Sequence, residues 1–148
     1  MWKILLIAAL PIVELRGALP IALAGGMPFW QAYLLSVIGN LVPAIPLFFF
    51  LAWSVKIIER YIPFLHRWLL WWFERTRKKF GPSYERYGAV ALCIFVAIPL
   101  PLTGAWSGAV AAVLFGIPAR FAIPAIVVGV AIAGIIVGIL TDTVMGVL

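Results

Sequence analysis

Charge is scarce in this chain of 148 residues, since only 11% of the residues are charged and only five are acidic. A soluble domain carries about 25% charged residues, so the sequence has too little polar surface for a soluble fold. Hydrophobic residues make up 66% of the chain, and the mean hydropathy is +1.17. The composition therefore predicts an integral membrane protein.

Cysteine and histidine each occur once. Cys93 has no partner for a disulfide within one chain, and we expect it to pack as a small hydrophobe. His66 lies in a basic segment, where neither a membrane serine nucleophile nor a metal site could readily use it. The segment 104–108, Gly-Ala-Trp-Ser-Gly, lacks the spacing of a nucleophile elbow. We therefore expect no enzyme, no metal and no cofactor.

Three uncharged stretches, 17–55, 87–119 and 121–141, are each long enough to enter a membrane. A spanning helix needs about 20 apolar residues. The apolar run 2–13 has no small-residue cleavage site behind it, so we expect no cleavable signal peptide.

Positive charge is concentrated between the apolar halves. Eight of the eleven basic residues lie in 56–87: Lys56, Arg60, Arg67, Arg75, Arg77, Lys78, Lys79 and Arg86. Basic loops remain cytoplasmic, so we expect segment 56–87 on the cytoplasmic side of the cell membrane. Because the basic residues behind the net charge of +6 are concentrated in this segment, the charge reflects membrane topology, and we expect no nucleic-acid partner. Tryptophans mixed with basic residues after Pro63 predict a helix lying on the membrane surface. A basic connector that only fixes topology is the simpler alternative.

The two apolar halves resemble each other. Residues 16–18 (Arg-Gly-Ala) match 103–105 (Thr-Gly-Ala), and 26–28 (Gly-Met-Pro) match 116–118 (Gly-Ile-Pro), with three extra residues between the motifs in the second half. One long apolar segment follows the motifs within each half, at 29–55 and at 119–141, and Gly39 in the first segment matches Gly129 in the second. The pattern predicts an internal repeat.

Each half is also interrupted by proline, glycine and polar residues, at 14–20 and at 99–108. The apolar arms beside each break have about a dozen residues, which is roughly 18 Å of helix and too short to cross about 30 Å of hydrocarbon. We expect two re-entrant hairpins that meet in the interior, which makes the halves inverted repeats. Two kinked spanning helices are the alternative, and charge counting does not separate the two topologies.

The predicted fold is thus an all-α membrane domain. Its expected parts are a first re-entrant hairpin (1–28), a transmembrane helix (29–55), a cytoplasmic amphipathic linker (56–87), a second re-entrant hairpin (88–117) and a transmembrane helix (118–141).

Five motifs together resemble the small multi-drug export protein family over nearly the whole chain. They are Glu-Leu-Arg-Gly-Ala-Leu-Pro at 14–20, Gly-Asn-Leu-Val-Pro at 39–43, Tyr-Gly at 87–88, Ala-Ile-Pro-Leu-Pro at 97–101 and Thr-Gly-Ala-Trp-Ser-Gly at 103–108. That family is thought to be distantly related to the DedA, or SNARE-associated, membrane proteins. The resemblance implies re-entrant hairpins in an inverted repeat, with translocation of polyprenyl phosphate, lipid scrambling or proton-dependent drug resistance. Leu102 stands where the family usually has glycine, which predicts a stiffer second tip.

Glu14 and Arg16 are the leading candidate site residues, because ionisable groups at membrane depth usually face a partner or a cavity. Glu14 could exchange a proton during transport, and Arg16 could bind a phosphate or carboxylate. In the alternative, the two side chains pair with each other and fix the hairpin.

Seven further residues are candidates for substrate binding. They are Gly17, Pro20, Asn40, Thr103, Gly104, Trp106 and Ser107. Hydroxyls and freed N–H groups at the start of a half-helix attract anions. Alternatively, the hydroxyls satisfy carbonyls of the broken helix, Asn40 joins helices and Trp106 packs.

We expect a transporter, coupled to protons, for a lipid-linked anion or a small amphiphilic drug. An energy-independent scramblase and a structural membrane protein are the alternatives. A homodimer is also expected, since two spans and two hairpins form a thin shell around a polar site.

Overall fold

The computed structural model describes residues 2–100 and 103–146, and these residues form helices and connecting turns without strands. The helices are α1 (Trp2–Ala9), α2 (Glu14–Ala24), α3 (Phe29–Tyr61), α4 (Pro63–Phe80), α5 (Tyr84–Ala97), α6 (Ala105–Leu114) and α7 (Ala119–Met145), with a 3-10 turn at Gly81–Ser83. The all-helical prediction is therefore confirmed. Pro101 and Leu102 lie outside the described residues, as does the stiffening expected at Leu102.

Among the described helices, only α3 and α7 are long and apolar enough to cross a membrane. They have 33 and 27 residues, or about 50 Å and 40 Å of helix, against about 30 Å of hydrocarbon. Helix α3 continues to Tyr61, six residues past the end expected at position 55.

Helices α5 and α6 form an antiparallel hairpin. Gly88, near the start of α5, lies against Ile117, just after α6, whereas Val96, near the end of α5, lies against Gly108 early in α6. The chain thus returns to the end at which it entered. Helix α7 begins at that same end, because Arg120 pairs with Glu85 at 2.8 Å. This half is therefore a hairpin followed by one long helix.

The turns that precede α3 and α7 share one structure. Gly26 and Gly116 have φ of 77° and 65°, in the left-handed region that glycine adopts readily. The next amide donates to the carbonyl four residues before the glycine, at 3.1 Å in the first half and 2.9 Å in the second. The match seen between these two sequence motifs thus extends to backbone hydrogen bonds.

Buried positions recur 90 residues apart through both halves. The pairs include 15/105, 18/108, 19/109 and 22/112 in α2 and α6, and 32/122, 36/126, 39/129, 40/130, 44/134 and 48/138 in α3 and α7. Constant spacing leaves no place for the three-residue insertion expected in the second half. The halves differ instead between the hairpin arms, since four residues separate Ala9 from Glu14 and six separate Ala97 from Gly104.

Small residues let each first arm approach its long helix closely. A Cβ atom on Gly39 would lie 2.7 Å from the Leu5 carbonyl oxygen, and one on Gly129 would lie 2.9 Å from that of Cys93. Glycine at these two matched positions therefore places α1 on α3 and α5 on α7.

The two long helices run antiparallel where they touch. Phe29 at the start of α3 lies against Gly138, and Tyr33 one turn later lies against Gly134. The Tyr33 hydroxyl also donates to the Ala131 carbonyl at 3.0 Å. Residues later in α3 therefore contact residues earlier in α7.

The first break lies upstream of its expected place. Helix α2 begins at Glu14 and runs through Pro20 to Ala24, so the segment 14–20 is helical. Helices α1 and α2 pack against each other, so the chain reverses in the turn at 10–13 and the first half also begins with a hairpin. Pro20 has no N–H, and the Arg16 carbonyl therefore lacks its usual helical donor.

Candidate functional site

The tips of the two hairpins meet at a small cavity about a third of the way along α3 and slightly less than halfway along α7. Its volume is about 10 Å³, which is enough for about one water molecule. The walls come from α2, α3, α5, α6 and α7: Glu14, Leu15, Arg16, Asn40, Val96, Gly104, Ala105, Val130 and Ala133. Asn40 and Val130 each lie eleven residues after the start of their helix. This distance is about 16 Å, or half the thickness of a bilayer core.

The Glu14 carboxylate lies at the start of α6, in the other half of the chain. Its residue is only 7% exposed, and Oε1 accepts a hydrogen bond of 3.4 Å from the Trp106 amide. The N-cap residue of α6, Gly104, provides no side-chain cap. Glu14 thus supplies the negative group that the free N–H groups and the dipole of a helix start attract.

Gly104 leaves the space that this carboxylate occupies. A Cβ atom at position 104 would overlap the carboxyl carbon and both oxygens of Glu14. The backbone at Gly104 is extended, with φ of −93°, so backbone geometry does not require glycine there. By the spacing of 90, Gly104 is the counterpart of Glu14 itself.

Glu14 is the one non-glycine residue with positive φ, 48°, among those described. This conformation costs roughly 1–2 kcal/mol for an L-residue. It occurs where the chain leaves the turn at 10–13 and enters α2. Strain of this kind often occurs at functional sites.

Arg16 connects the first tip to the second. Its Nη2 donates to the Ile98 carbonyl at 3.1 Å and to the Thr103 hydroxyl at 2.8 Å. The Thr103 hydroxyl also lies 2.7 Å from the Ile98 carbonyl and 2.8 Å from that of Leu100. Because Ile98 is the C-cap of α5, the guanidinium lies at the negative end of that helix.

Glu14 and Arg16 do not form an ion pair within 4.0 Å of each other. Each contacts a different part of the second hairpin, Glu14 the start of α6 and Arg16 the end of α5. The described structure therefore lacks the mutual ion pair that was the alternative for these two residues. Together they hold the two tips in contact.

The polar groups of the cavity all come from the first half. Glu14, Arg16 and Asn40 have Gly104, Trp106 and Val130 as their counterparts 90 residues later. Symmetric packing thus surrounds an asymmetric polar site.

The remaining predicted residues do not line the cavity. Gly17 packs against Val13, and Pro20 is half-buried inside α2. The Ser107 hydroxyl donates to the carbonyl three residues earlier at 3.1 Å. Trp106 is half-buried, and its Nε1 has no hydrogen-bond partner among the described residues.

Ser36 is a buried polar residue that the sequence interpretation missed. It is fully buried, and its hydroxyl has no partner in the described part of the chain. Other hydroxyls in the long helices bond to the carbonyl four residues earlier, as Ser54 and Thr141 do. Ser36 lies one turn before Asn40 on α3. The spacing of four residues between two polar residues in an apolar run could have indicated that both lie on the same buried face of the helix.

Comparison with known proteins links these hairpins to one family. The sequence model described as "Putative small multi-drug export protein" matches residues 14–136, which include α2 with Glu14 and Arg16, all of α3, the second hairpin and most of α7. Comparisons with curated proteins and with solved structures give no match. The match and the two apolar helices indicate a membrane location. The chain belongs to the small multi-drug export protein family.

Proposed function

We propose that this chain is a proton-coupled transporter in which two re-entrant hairpins meet in the middle of the membrane. The arms of the hairpins have 8 to 14 residues, about 12–21 Å of helix, and are too short to span the bilayer. The antiparallel contact of α3 with α7 and the matched packing of the halves support an inverted repeat. Such a repeat is the arrangement expected of a DedA relative.

The sidedness of the proposal follows from the basic linker. Segment 56–87 lies on the cytoplasmic side of the cell membrane, with α4 at the surface. The contact between Phe73 of α4 and Gly116 brings α4 to the end of the molecule where α7 begins. Both termini then lie on the opposite side.

Glu14 is the proton carrier, and its position at the start of α6 is the observation that carries the proposal. The ionised carboxylate caps α6, whereas a protonated carboxyl has lost the charge that this helix start attracts. Protonation therefore frees the N–H groups at the start of α6 for another anion. A proton and an anionic group would then move together.

The substrate is an amphiphile with an anionic headgroup, such as a polyprenyl phosphate. A cavity with room for one water molecule is too small for a phosphate, so the structure corresponds to a closed state. Opening requires the tips to separate, which breaks the Glu14–Trp106 and Arg16–Thr103 hydrogen bonds. Arg16 is then available for the headgroup, since guanidinium binds phosphate well. The proposal includes no chemical step and no cofactor.

The proposal includes a homodimer, although the polar site does not need a second copy to be buried. One chain already leaves Glu14 only 7% exposed and Asn40 only 2% exposed.

The test uses purified protein in liposomes and a fluorescent polyprenyl phosphate in the outer leaflet. We expect an imposed pH gradient to accelerate its translocation by the unmodified protein. Glu14→Gln removes the acceleration, because the amide cannot carry a proton. Glu85→Gln is the matched control, since Glu85 pairs with Arg120 at the surface, and it retains the gradient response. Translocation that ignores the gradient in all three proteins would indicate a scramblase instead.

A further inference from the structure

Asn40 carries a buried acceptor that lacks a donor. The residue is 2% exposed, it lines the same cavity as Glu14, and its Oδ1 has no hydrogen-bond partner among the described residues. A buried acceptor without a donor is destabilising. Some state of the protein, or one water molecule in the cavity, should supply the missing donor.

No described group around the cavity donates to this oxygen in the closed state. The Arg16 guanidinium bonds to the second tip through Nη2, and the Glu14 carboxylate only accepts hydrogen bonds when it is ionised. The remaining lining side chains, from α2, α5, α6 and α7, are apolar or absent: Leu15, Val96, Gly104, Ala105, Val130 and Ala133. Lys3, the charged residue of α1, is exposed. Among the side chains that line the cavity, Glu14 is the one that gains a donor when the pH falls.

We propose that Asn40 accepts the hydrogen bond of the protonated Glu14 carboxyl, directly or through one water molecule. This inference rests on the proposed role of Glu14 as proton carrier and assigns the partner of the proton-loaded state. The ionised carboxylate bonds to α6 in the second half, and the protonated carboxyl bonds to α3 in the first half. Asn40 is thus a positioning residue that draws the carboxyl away from α6 and frees the start of that helix for an anionic headgroup.

Infrared difference spectroscopy of the protein in liposomes, recorded during a pH titration, tests the assignment. The carbonyl stretch of a protonated carboxyl should appear as the pH falls, and Glu14→Gln should remove it. In Asn40→Leu, which has a similar volume and no acceptor, the band shifts to higher frequency. Its pH midpoint falls by about one unit, as expected for the loss of one hydrogen bond to the protonated form.

Three further variants keep the result decisive. Ser36→Ala removes the other unpartnered polar group one turn away on α3, and it leaves both frequency and midpoint unchanged. If Asn40→Leu does not fold, Asn40→Ser, which retains an acceptor, is compared with Asn40→Ala, and only the serine variant keeps a band close to the original. A Glu14 band that none of the Asn40 variants changes overturns the assignment of Asn40 alone. The absence of any band that depends on Glu14 overturns the proton-carrier proposal itself.

Discussion

Gly104→Ala lowers gradient-driven translocation of the polyprenyl phosphate probe by about tenfold or more. The added methyl group occupies the position of the Glu14 carboxyl, so the carboxylate must leave the start of α6. Overpacking of this kind costs typically 1–3 kcal/mol, and about 1.4 kcal/mol in a barrier is tenfold in rate. The liposome assay with an imposed pH gradient measures the loss.

Gly25→Ala is the matched control for this prediction. A Cβ atom at position 25 would lie 3.4 Å from its nearest neighbours, the carbonyl oxygens of Ala22 and Ile21, and φ there is −76°. The control should therefore transport at the original rate. The stability cost of Gly104→Ala should also disappear when Glu14 is glycine, because the clash then has no second partner. Full activity in Gly104→Ala would contradict the placement of the carboxylate.

Arg16→Ala destabilises the protein by about 1.5–3 kcal/mol, the range for a hydrogen bond to a charged group. The substitution removes the donor that Ile98 and Thr103 share and the positive group at the end of α5. Reversible unfolding in detergent micelles measures the difference. Translocation of the probe should also fall, because the same side chain would bind the headgroup.

Arg16→Lys and Thr103→Val separate these two roles of Arg16. Lysine keeps the charge but lacks the planar fork, so it should restore stability in part while leaving translocation slow. Thr103→Val removes one acceptor and should destabilise less than Arg16→Ala does. Equal stability of Arg16→Ala and the unmodified protein would show that the hydrogen bonds between the tips are not significant.

Much of the architecture could be predicted because the membrane restricts how the backbone can be arranged. Apolar length predicted α3 and α7, and the paired glycine-proline turns predicted the starts of both. The position of the first reversal could not be predicted from proline. Pro20 lies inside α2, and the helix continues through it. The turn at 10–13 contains one proline, Pro11, among apolar residues.

The sequence predicted the charged residues that line the cavity, but not most of the groups to which they bond. Glu14 and Arg16 were recognisable because charge is rare in an apolar run. Two of their partners, the Trp106 amide and the Ile98 carbonyl, are backbone groups that no residue type encodes. The third, the Thr103 hydroxyl, was among the predicted candidates. The sequence indicated Gly104 as a substrate-binding residue at the start of a half-helix. Its contact with the Glu14 carboxyl is visible only in the three-dimensional packing.

Cysteine labelling in intact cells tests the paired re-entrant hairpins most directly. In a Cys93→Ala background, single cysteines replace Trp2, Phe64 and Val144, which are 68%, 83% and 82% exposed. With two hairpins and two spans, a membrane-impermeant maleimide labels positions 2 and 144 from outside, and position 64 only after the membrane is permeabilised. Four kinked spans would place all three positions on one side, so protection of all three in intact cells would contradict the hairpins.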